Sequence, residues 1–473
     1  MRTHRPLPHR LARKWVVLPA GPGRDDYYPL EISRSKAGVL QLVGEWGRAE
    51  TLYRRDLESV RRTADARLLA DGENALGRFL LQKNAFAEAG DLFRSALDRY
   101  HQAGDAPAVA RMTGCIGDVY SSQGEYGTAL EWFARQQRLA QDAGDHRTVK
   151  RSLTAAAIIH AEQGRLDQAL GIYRQVLAEA EREEDPRAVA DMEGEIGVIH
   201  LYRHDYPAAL DSMQRQLRLA TGLGDVRSMG VAYCNLGILH SNLGQPDQAM
   251  ACFQGYLRIA RKLGDTRSTG IALGNIGVEH LDHGRYAQAL ACFAEKLAIA
   301  EQLGDKHGQS IVLGDLGELY RLLGEPAKAG DHLDRAIALG NELKMRNYLG
   351  GQLKSRADLC LMLGDAAGAG AWNGEALALA DEMKQEPLAF SCRLLRARII
   401  ALTDPAAAEA MLGDLVTNEP DDERQADIQY TLYQVCGSEA ARAAAIERYG
   451  ELDGRTPSFK YRSRLEELAG GRG

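Results

Sequence analysis

Apolar side chains recur every three or four residues in two neighbouring stretches of the chain, which is the spacing of one face of an α-helix. The positions that share such a face are Val231, Cys234, Gly237 and Ile238 in the first stretch and Ala249, Phe253, Leu257 and Ala260 in the second. Gly244 lies between them and can adopt the left-handed conformation that ends a helix. The pattern therefore predicts a helical hairpin, two helices joined by a short turn.

This hairpin recurs with a period of 40 residues. The repeat LGDVRSMGVAYCNLGILHSNLGQPDQAMACFQGYLRIARKLGD is followed by LGDTRSTGIALGNIGVEHLDHGRYAQALACFAEKLAIAEQLGD. Both units keep three features at the same positions of the repeat. These are a Gly-Asp pair at Gly224-Asp225 and Gly264-Asp265, a glycine in the first helix at Gly237 and Gly277, and an alanine in the second helix at Ala249 and Ala289. A constant period of this length predicts a tandem array in which each unit contacts its neighbours.

The spacing of small and aromatic residues distinguishes between the two-helix repeats of similar length. Leu236, Gly237 and His240, followed by Ala249 and Phe253, match the pattern of tetratricopeptide repeats, whereas HEAT and armadillo repeats lack it. The strings AYCNLG and LRIARKLGD resemble the long tetratricopeptide repeats of Pins-type adaptors, kinesin light chains and bacterial signalling regulators. The resemblance implies an all-α, right-handed superhelical solenoid of tandem helix-turn-helix repeats.

Three segments are expected along the chain. Residues 1–26 are basic and interrupted by prolines, so a flexible tail is predicted there. Residues 27–416 should hold about nine 40-residue units and a degenerate one. The stretch TNEPDDERQ breaks the register, and residues 417–473 are expected to form a helical capping segment, because the outermost unit of a stacked array needs a polar cover.

Charge and cysteine usage narrow the class of protein further. The net charge of −7 gives no general attraction to nucleic acid, which is therefore not expected as a partner. The seven cysteines contain no Cys-x-x-Cys pair, and no apolar stretch has the length of a membrane span. We expect a cytoplasmic protein without membrane insertion, and its oligomeric state is left open.

Histidines and glycines with apparent chemical interest fit the repeat instead of a reactive site. One column of the first helix, where the family places a half-buried aromatic ring, contains Tyr120, His160, His200, His240, His280 and Tyr320. Gly274 and Gly277 lie inside a predicted helix, whereas a phosphate loop must join a strand to a helix. No catalytic constellation is recognisable, so neither catalytic residues nor a metal or other cofactor is expected.

Polar columns of the first helices are the candidates for binding. In related arrays the first helices line a groove that takes a peptide, and an asparagine two positions before the signature glycine contacts it. The residues in that column include Glu195, Asn235, Asn275 and Asp315. A second column near the helix starts, with Arg147, Arg187, Arg227 and Arg267, offers forked hydrogen bonds to an acidic partner. The alternative that these arginines pair with acidic side chains of the neighbouring repeat stays open.

The resemblance implies a non-catalytic scaffold or adaptor that binds a peptide segment of another protein in the concave groove. A ligand- or peptide-responsive regulator that acts on a separate effector protein is the alternative. An enzyme is a third interpretation, which bound metal or nucleotide in the purified protein would favour.

Overall fold

The computed structural model describes residues 27–42, 44–62, 65–455 and 459–470, and in these residues it contains helices and turns but no β-strand. The predicted basic tail, residues 1–26, lies outside them. Within the described part, no helix has the length and apolar character required to cross a membrane. The helices, numbered along the chain, are α1 Tyr27–Leu42, α2 Trp46–Arg61, α3 Ala66–Gln82, α4 Phe86–Gln102, α5 Ala106–Ser122, α6 Tyr126–Asp142, α7 His146–Glu162, α8 Leu166–Arg182, α9 Pro186–Tyr202, α10 Tyr206–Gly222, α11 Val226–Asn242, α12 Pro246–Leu263, α13 Thr266–Asp282, α14 Tyr286–Leu303, α15 Lys306–Leu322, α16 Pro326–Glu342, α17 Arg346–Met362, α18 Ala366–Glu382, α19 Glu386–Ile400, α20 Pro405–Asn418, α21 Asp422–Cys436, α22 Glu439–Arg455 and α23 Phe459–Gly470.

The chain divides into two compact units. Unit 1 comprises the residues up to Ala232 together with Lys262–Thr266, and unit 2 comprises Tyr233–Arg261 and the residues from Arg267 onward. Both units consist of helical hairpins in tandem, such as α3 and α4 in unit 1 and α15 and α16 in unit 2. The predicted all-α class and the helix-turn-helix repeat are therefore confirmed.

Glycines end the helices where the sequence predicts them. Gly244, Gly264 and Gly284 have φ angles of 64°, 67° and 66°, in the left-handed region that glycine enters without steric cost. Asn84 and His204 take the same place in other repeats, with φ angles of 61° and 58°. The turn geometry is thus kept even where its preferred residue is absent.

The aspartate of the Gly-Asp pair caps the helix that follows. Asp145 accepts hydrogen bonds from the backbone N–H of Thr148 at 3.0 Å and from its hydroxyl at 2.6 Å. Those bonds hold the pKa of Asp145 below its usual value. Asp305 accepts the N–H of Gly308 in the same way at 3.0 Å. The cap satisfies an amide that would otherwise lack a partner at the start of the helix.

In six hairpins of the described structure, a glycine of the first helix contacts a large side chain of the second. A Cβ atom placed on Gly237 would lie 2.5 Å from Cε1 of Phe253, and one on Gly117 would lie 2.7 Å from the same atom of Phe133. Phe253 is buried, and Ala249 beside it is completely buried. Only glycine leaves room for the ring at this distance, which explains the recurring glycine, alanine and phenylalanine.

The last three helices of unit 2 bury an aromatic cluster of their own. Tyr430, Tyr449 and Tyr461 pack together, with ring centroids 6.4 Å apart for the first pair and 5.9 Å for the second. The predicted break in register falls where α20 ends and α21 begins. The capping role of residues 417–473 stays a prediction.

We predict that Gly237→Ala destabilises the protein by about 1–3 kcal/mol, because the added methyl group overpacks the hairpin against Phe253. Gly374→Ala is the matched control in the same unit. It also lies inside a helix, but nothing is within 4 Å of its added Cβ, so that change should stabilise by about 0.5–1 kcal/mol. Urea unfolding followed by circular dichroism measures both, and equal midpoints would contradict the packing account.

Candidate functional site

Large aliphatic side chains are exposed on the first helices of the hairpins. In unit 1 these are Ile158 and Val231, and in unit 2 they are Ile238, Ile271 and Val278, with exposed fractions between 37% and 47%. Gly237 is buried in its hairpin, whereas Val231 and Ile238, which the sequence pattern groups with it on one face, are exposed. In each unit, we call the surface that carries these exposed aliphatic residues the first-helix face.

The predicted asparagines lie half-buried beside these aliphatic residues in unit 2. Asn275 donates from Nδ2 to Sγ of Cys234 at 3.5 Å, a contact between neighbouring repeats. Asn235 makes no side-chain hydrogen bond to any residue that the structure describes. Its amide therefore keeps both a donor and an acceptor for a ligand.

The two acidic members of the same column are also half-buried, and each has a partner from a second helix. The hydroxyl of Tyr173 donates to Oε2 of Glu195 at 3.3 Å, and Nζ of Lys296 donates to Oδ2 of Asp315 at 3.4 Å. Burial raises the pKa of both carboxyl groups. Because Glu195 belongs to unit 1 and Asp315 to unit 2, each contributes to the first-helix face of its own unit.

Two members of the arginine column are engaged by the following repeat. Arg187 forms two hydrogen bonds to Oδ2 of Asp225, at 2.9 and 2.6 Å, and Nη1 of Arg267 lies 3.4 Å from Oδ2 of Asp305. These pairs match the alternative of pairing between repeats. Arg227 is exposed and has no carboxylate oxygen within 4.0 Å among the described residues.

The first-helix face of unit 1 contains an open cleft of about 900 Å³. We call it the unit-1 cleft. It brings together the predicted residues Glu195 and Arg227, which are 32 positions apart in the sequence. The cleft is lined by Asp118, Arg151, Thr154, Ala155, Ile158, Arg187, Asp191, Met192, Glu195, Gln216, Asp225, Arg227, Ser228 and Val231.

Some of the charged residues of the cleft neutralise each other. Arg151 donates to Asp118 at 3.1 Å, as Arg187 does to Asp225. The backbone N–H of Ser228 and the guanidinium of Arg187 hold the pKa of Asp225 below its usual value.

The other charges of the cleft have no counterion within 4.0 Å among the described residues. They are the carboxylates of Asp191 and Glu195, one helical turn apart, and the guanidinium of Arg227. Asp191 is exposed, but partial desolvation by the surrounding protein raises its pKa, and the charge of Asp225 adds to that effect. Two anionic groups against one cationic group leave the cleft with a negative balance.

Sequence reasoning missed the polar residues at the floor of the cleft. Gln216 is 3% exposed and Ser228 is 8% exposed, yet Oε1 of the first and Oγ of the second lack a hydrogen-bond partner in the described structure. Gln216 approaches through a gap at Gly194, where a Cβ atom would lie 2.4 Å from its Nε2. A signal was present, because a long polar residue follows this glycine 22 positions later in three repeats, as Gly114 and Gln136, Gly194 and Gln216, and Gly274 and Lys296.

Unit 2 has a group of acidic residues on the first helix α13 and its neighbour α15. The hydroxyl of Ser241 donates to Glu279 at 2.9 Å, and Nδ1 of His283 lies 3.5 Å from the same carboxylate. The surrounding protein desolvates Asp282 and raises its pKa to about 6, and the charges of Glu279 and Asp315 act in the same direction.

The column histidines have half-buried rings, as the repeat pattern predicts. His240 shares a hydrogen bond of 2.7 Å with Gln245, and burial lowers the pKa of His160 and of His280. Over the described ranges, no three His, Cys, Asp or Glu side chains are grouped as metal ligands would be.

Comparison with known protein families identifies the repeat. The family model described as tetratricopeptide repeat matches residues 108–182, 188–262 and 268–342. These residues are tandem tetratricopeptide repeats. No curated protein matches the sequence significantly.

Several solved structures are similar to this chain. A Rap protein in complex with the competence and sporulation factor is 14% identical, with a TM-score of 0.53 over 76% of this chain and 99% of its own. The apo quorum sensor NprR from B. thuringiensis is 15% identical, with a TM-score of 0.49 over 74% of this chain and 99% of its own. A signal-transduction ATPase of the STAND class with a tetratricopeptide repeat sensor, from Pyrococcus horikoshii, is 16% identical, with a TM-score of 0.48 over 93% and 68% of the two chains. At this identity the likeness to the Rap protein shows a shared fold.

We predict that Asp282→Asn stabilises the protein at pH 7.5 and has a much smaller effect at pH 4. The folded state raises the pKa of Asp282 to about 6, so ionisation of this group disfavours folding as the pH rises from about 4, the ordinary value, through 6. At pH 4 the carboxyl group is protonated in the folded state and about half protonated in the unfolded state, so little of the difference from the amide remains.

Thermal melts at the two pH values test this prediction. Asp414→Asn is the control, because Asp414 is exposed like Asp282 but lies on another helix of the same unit, α20, outside this acidic group. A melting temperature that Asp282→Asn changes equally at both pH values would show that ionisation of Asp282 is not the cause.

Proposed function

We propose that this protein is a non-catalytic adaptor or scaffold that binds a segment of another protein along the first-helix face. The observation that carries the proposal is the exposure of aliphatic side chains at recurring positions of that face, such as Val231 in unit 1 and Ile271 in unit 2. Exposed apolar groups in register with half-buried polar groups are typical of surfaces that recognise an extended chain. The apolar groups contribute burial, and the polar groups fix the register of the ligand.

Amide side chains support the proposal in unit 2. Asn235 and Asn275 are half-buried next to Ile238 and Val278, where a bound backbone would find both donors and acceptors. A peptide backbone presents one N–H and one C=O per residue, so an amide side chain can satisfy either group.

The arginine column predicts an acidic partner, but ion pairs within the protein already occupy two of its arginines and weaken that prediction. Arg187 and Arg267 already lie against Asp225 and Asp305, so a ligand carboxylate would have to compete with them. Arg227 still supports a contact with an acidic group. The proposal therefore specifies a protein segment and does not require that segment to be acidic throughout.

A ligand-responsive regulator is the second candidate function. The Rap protein that shares this fold is bound to the competence and sporulation factor, which favours a role in which a ligand changes the action on an effector. Both candidates place the ligand on the first-helix face, and they differ in what binding does afterwards.

We predict that Val231→Gln together with Ile271→Gln abolishes capture of the partner from a cell extract. These changes replace apolar contacts with polar ones at exposed sites, so folding should be unaffected. Asn235→Ala with Asn275→Ala should weaken binding by about 0.5–1.5 kcal/mol for each hydrogen bond lost. Capture of proteins on the immobilised chain, quantified by mass spectrometry, measures the first effect, and titration of the captured partner measures the second.

Leu223→Gln with Leu263→Gln is the matched control, because both leucines are as exposed as the targets but lie at the ends of second helices. Partner recovery should be the same as for the unmodified protein. Loss of the partner in the control, or its retention in the first-helix variant, would place the binding surface elsewhere.

A further inference from the structure

We propose, on the basis of the function proposed above, that the unit-1 cleft is a subsite for a basic side chain, lysine or arginine, of the bound segment. Asp191 and Glu195 would neutralise the charge, and Gln216 and Ser228 would accept hydrogen bonds from its N–H groups. This assignment differs from the expectation of an acidic partner, because it starts from the groups that the fold leaves without counterions.

Buried atoms without partners are the first argument. Oε1 of Gln216 and Oγ of Ser228 lack a hydrogen bond in the described structure, although their residues are more than nine-tenths buried and line the cleft. Leaving a buried acceptor unsatisfied costs free energy that a ligand donor would recover. An ammonium or guanidinium group carries three or five such donors and no acceptor.

Carboxylates without counterions are the second argument. Asp191 and Glu195 belong to one turn of α9, and the charge of Asp191 adds to the burial that raises the pKa of Glu195. Two carboxylates that disfavour each other's ionisation are stabilised by a cation between them. Because they line the same cleft as Gln216, the charges and the buried acceptors can act on one group.

The remaining charges of the cleft do not cancel this preference. Arg151 is occupied by Asp118, and Arg187 is occupied by Asp225. Arg227 is the cationic group of the cleft that lacks a counterion within 4.0 Å in the described structure. It opposes a basic ligand group, so its removal should strengthen binding.

Aliphatic residues border the polar floor of the cleft. Ile158 and Val231 line it and are 40% and 45% exposed. The stem of a lysine or arginine side chain is itself aliphatic and can pack on such residues while its charged end reaches the carboxylates. A free metal ion or an inorganic anion would make no use of this apolar border.

The test selects ligands from a phage-displayed library of random dodecapeptides on the intact protein. We expect the selected peptides to be enriched in lysine and arginine, and the enrichment to disappear on the variant Asp191→Asn with Glu195→Gln. A selected peptide with a fluorescein label is then titrated by fluorescence polarisation. The double variant should bind it at least about tenfold more weakly, as expected for the loss of charge-assisted hydrogen bonds.

Three further variants separate the subsite from a general charge effect. Glu131→Gln removes a carboxylate from the exposed side of α6 and should leave affinity unchanged. Arg227→Gln should tighten binding of the basic peptide. Gln216→Met keeps the size and removes the unsatisfied acceptor, so it should fold at least as well and still bind more weakly, which a merely structural role would not produce.

Binding should also weaken as the pH falls below neutral, since protonation removes the charges that hold the ligand. Desolvation raises the pKa of Asp191 and of Glu195, and the hydrogen bond from Tyr173 to Glu195 offsets this only in part. The loss should therefore begin at a higher pH than ordinary carboxyl groups would give. Peptides carrying norleucine in place of the basic residue should bind weakly and independently of pH. An equal pH dependence for both peptides would overturn the assignment.

The failures of the two proposals are distinguishable. Selected peptides without a basic preference, or with a preference that the double variant keeps, would overturn the subsite and leave peptide binding intact. If the unmodified protein enriches no peptide above beads without protein, the subsite and the proposed function both fail.

Discussion

Close contact between a glycine of the first helix and a large side chain of the second sets the packing of six hairpins in the described structure. At Gly237 the ring of Phe253 occupies the space where a side chain would stand, only 2.5 Å from the position of a Cβ atom. This approach buries the first helix at Gly237, whereas Ile238 of the same helix stays exposed and is available for binding.

Glycine has a second use in the same helices. At Gly194 the gap is filled by Gln216, and at Gly274 it is filled by Lys296, whose Nζ would lie 2.7 Å from an added Cβ atom. Both side chains come from second helices and reach residues of the first-helix face. A polar group on a second helix can therefore take part in recognition, although the first-helix face is formed by first helices.

Much of the fold could be predicted from the sequence because its determinants are local. Gly244 and Gly264 end helices through their own backbone freedom, and the packing of Gly237 on Phe253 repeats at fixed spacing. The pairing of Arg187 with Asp225 was not decided by the sequence, since it depends on the offset between neighbouring repeats.

The candidate site was predicted only in part. Glu195 and Arg227 were both candidates, but only the packed structure places them in one cleft with Asp191 and Gln216. Gln216 was missed because its column belongs to the second helix, which the resemblance does not associate with binding. Its lack of a hydrogen-bond partner is a property of packing, and no local pattern reports it.

Photocrosslinking tests the central claim, binding of a protein segment along the first-helix face, most directly. Benzoylphenylalanine is introduced in place of Ile158 or Val278, which are exposed on first helices, and in place of Leu223 at the end of a second helix. The account predicts that irradiation in a cell extract links the partner to the first two positions and not to the third. Crosslinks confined to the third position would contradict it.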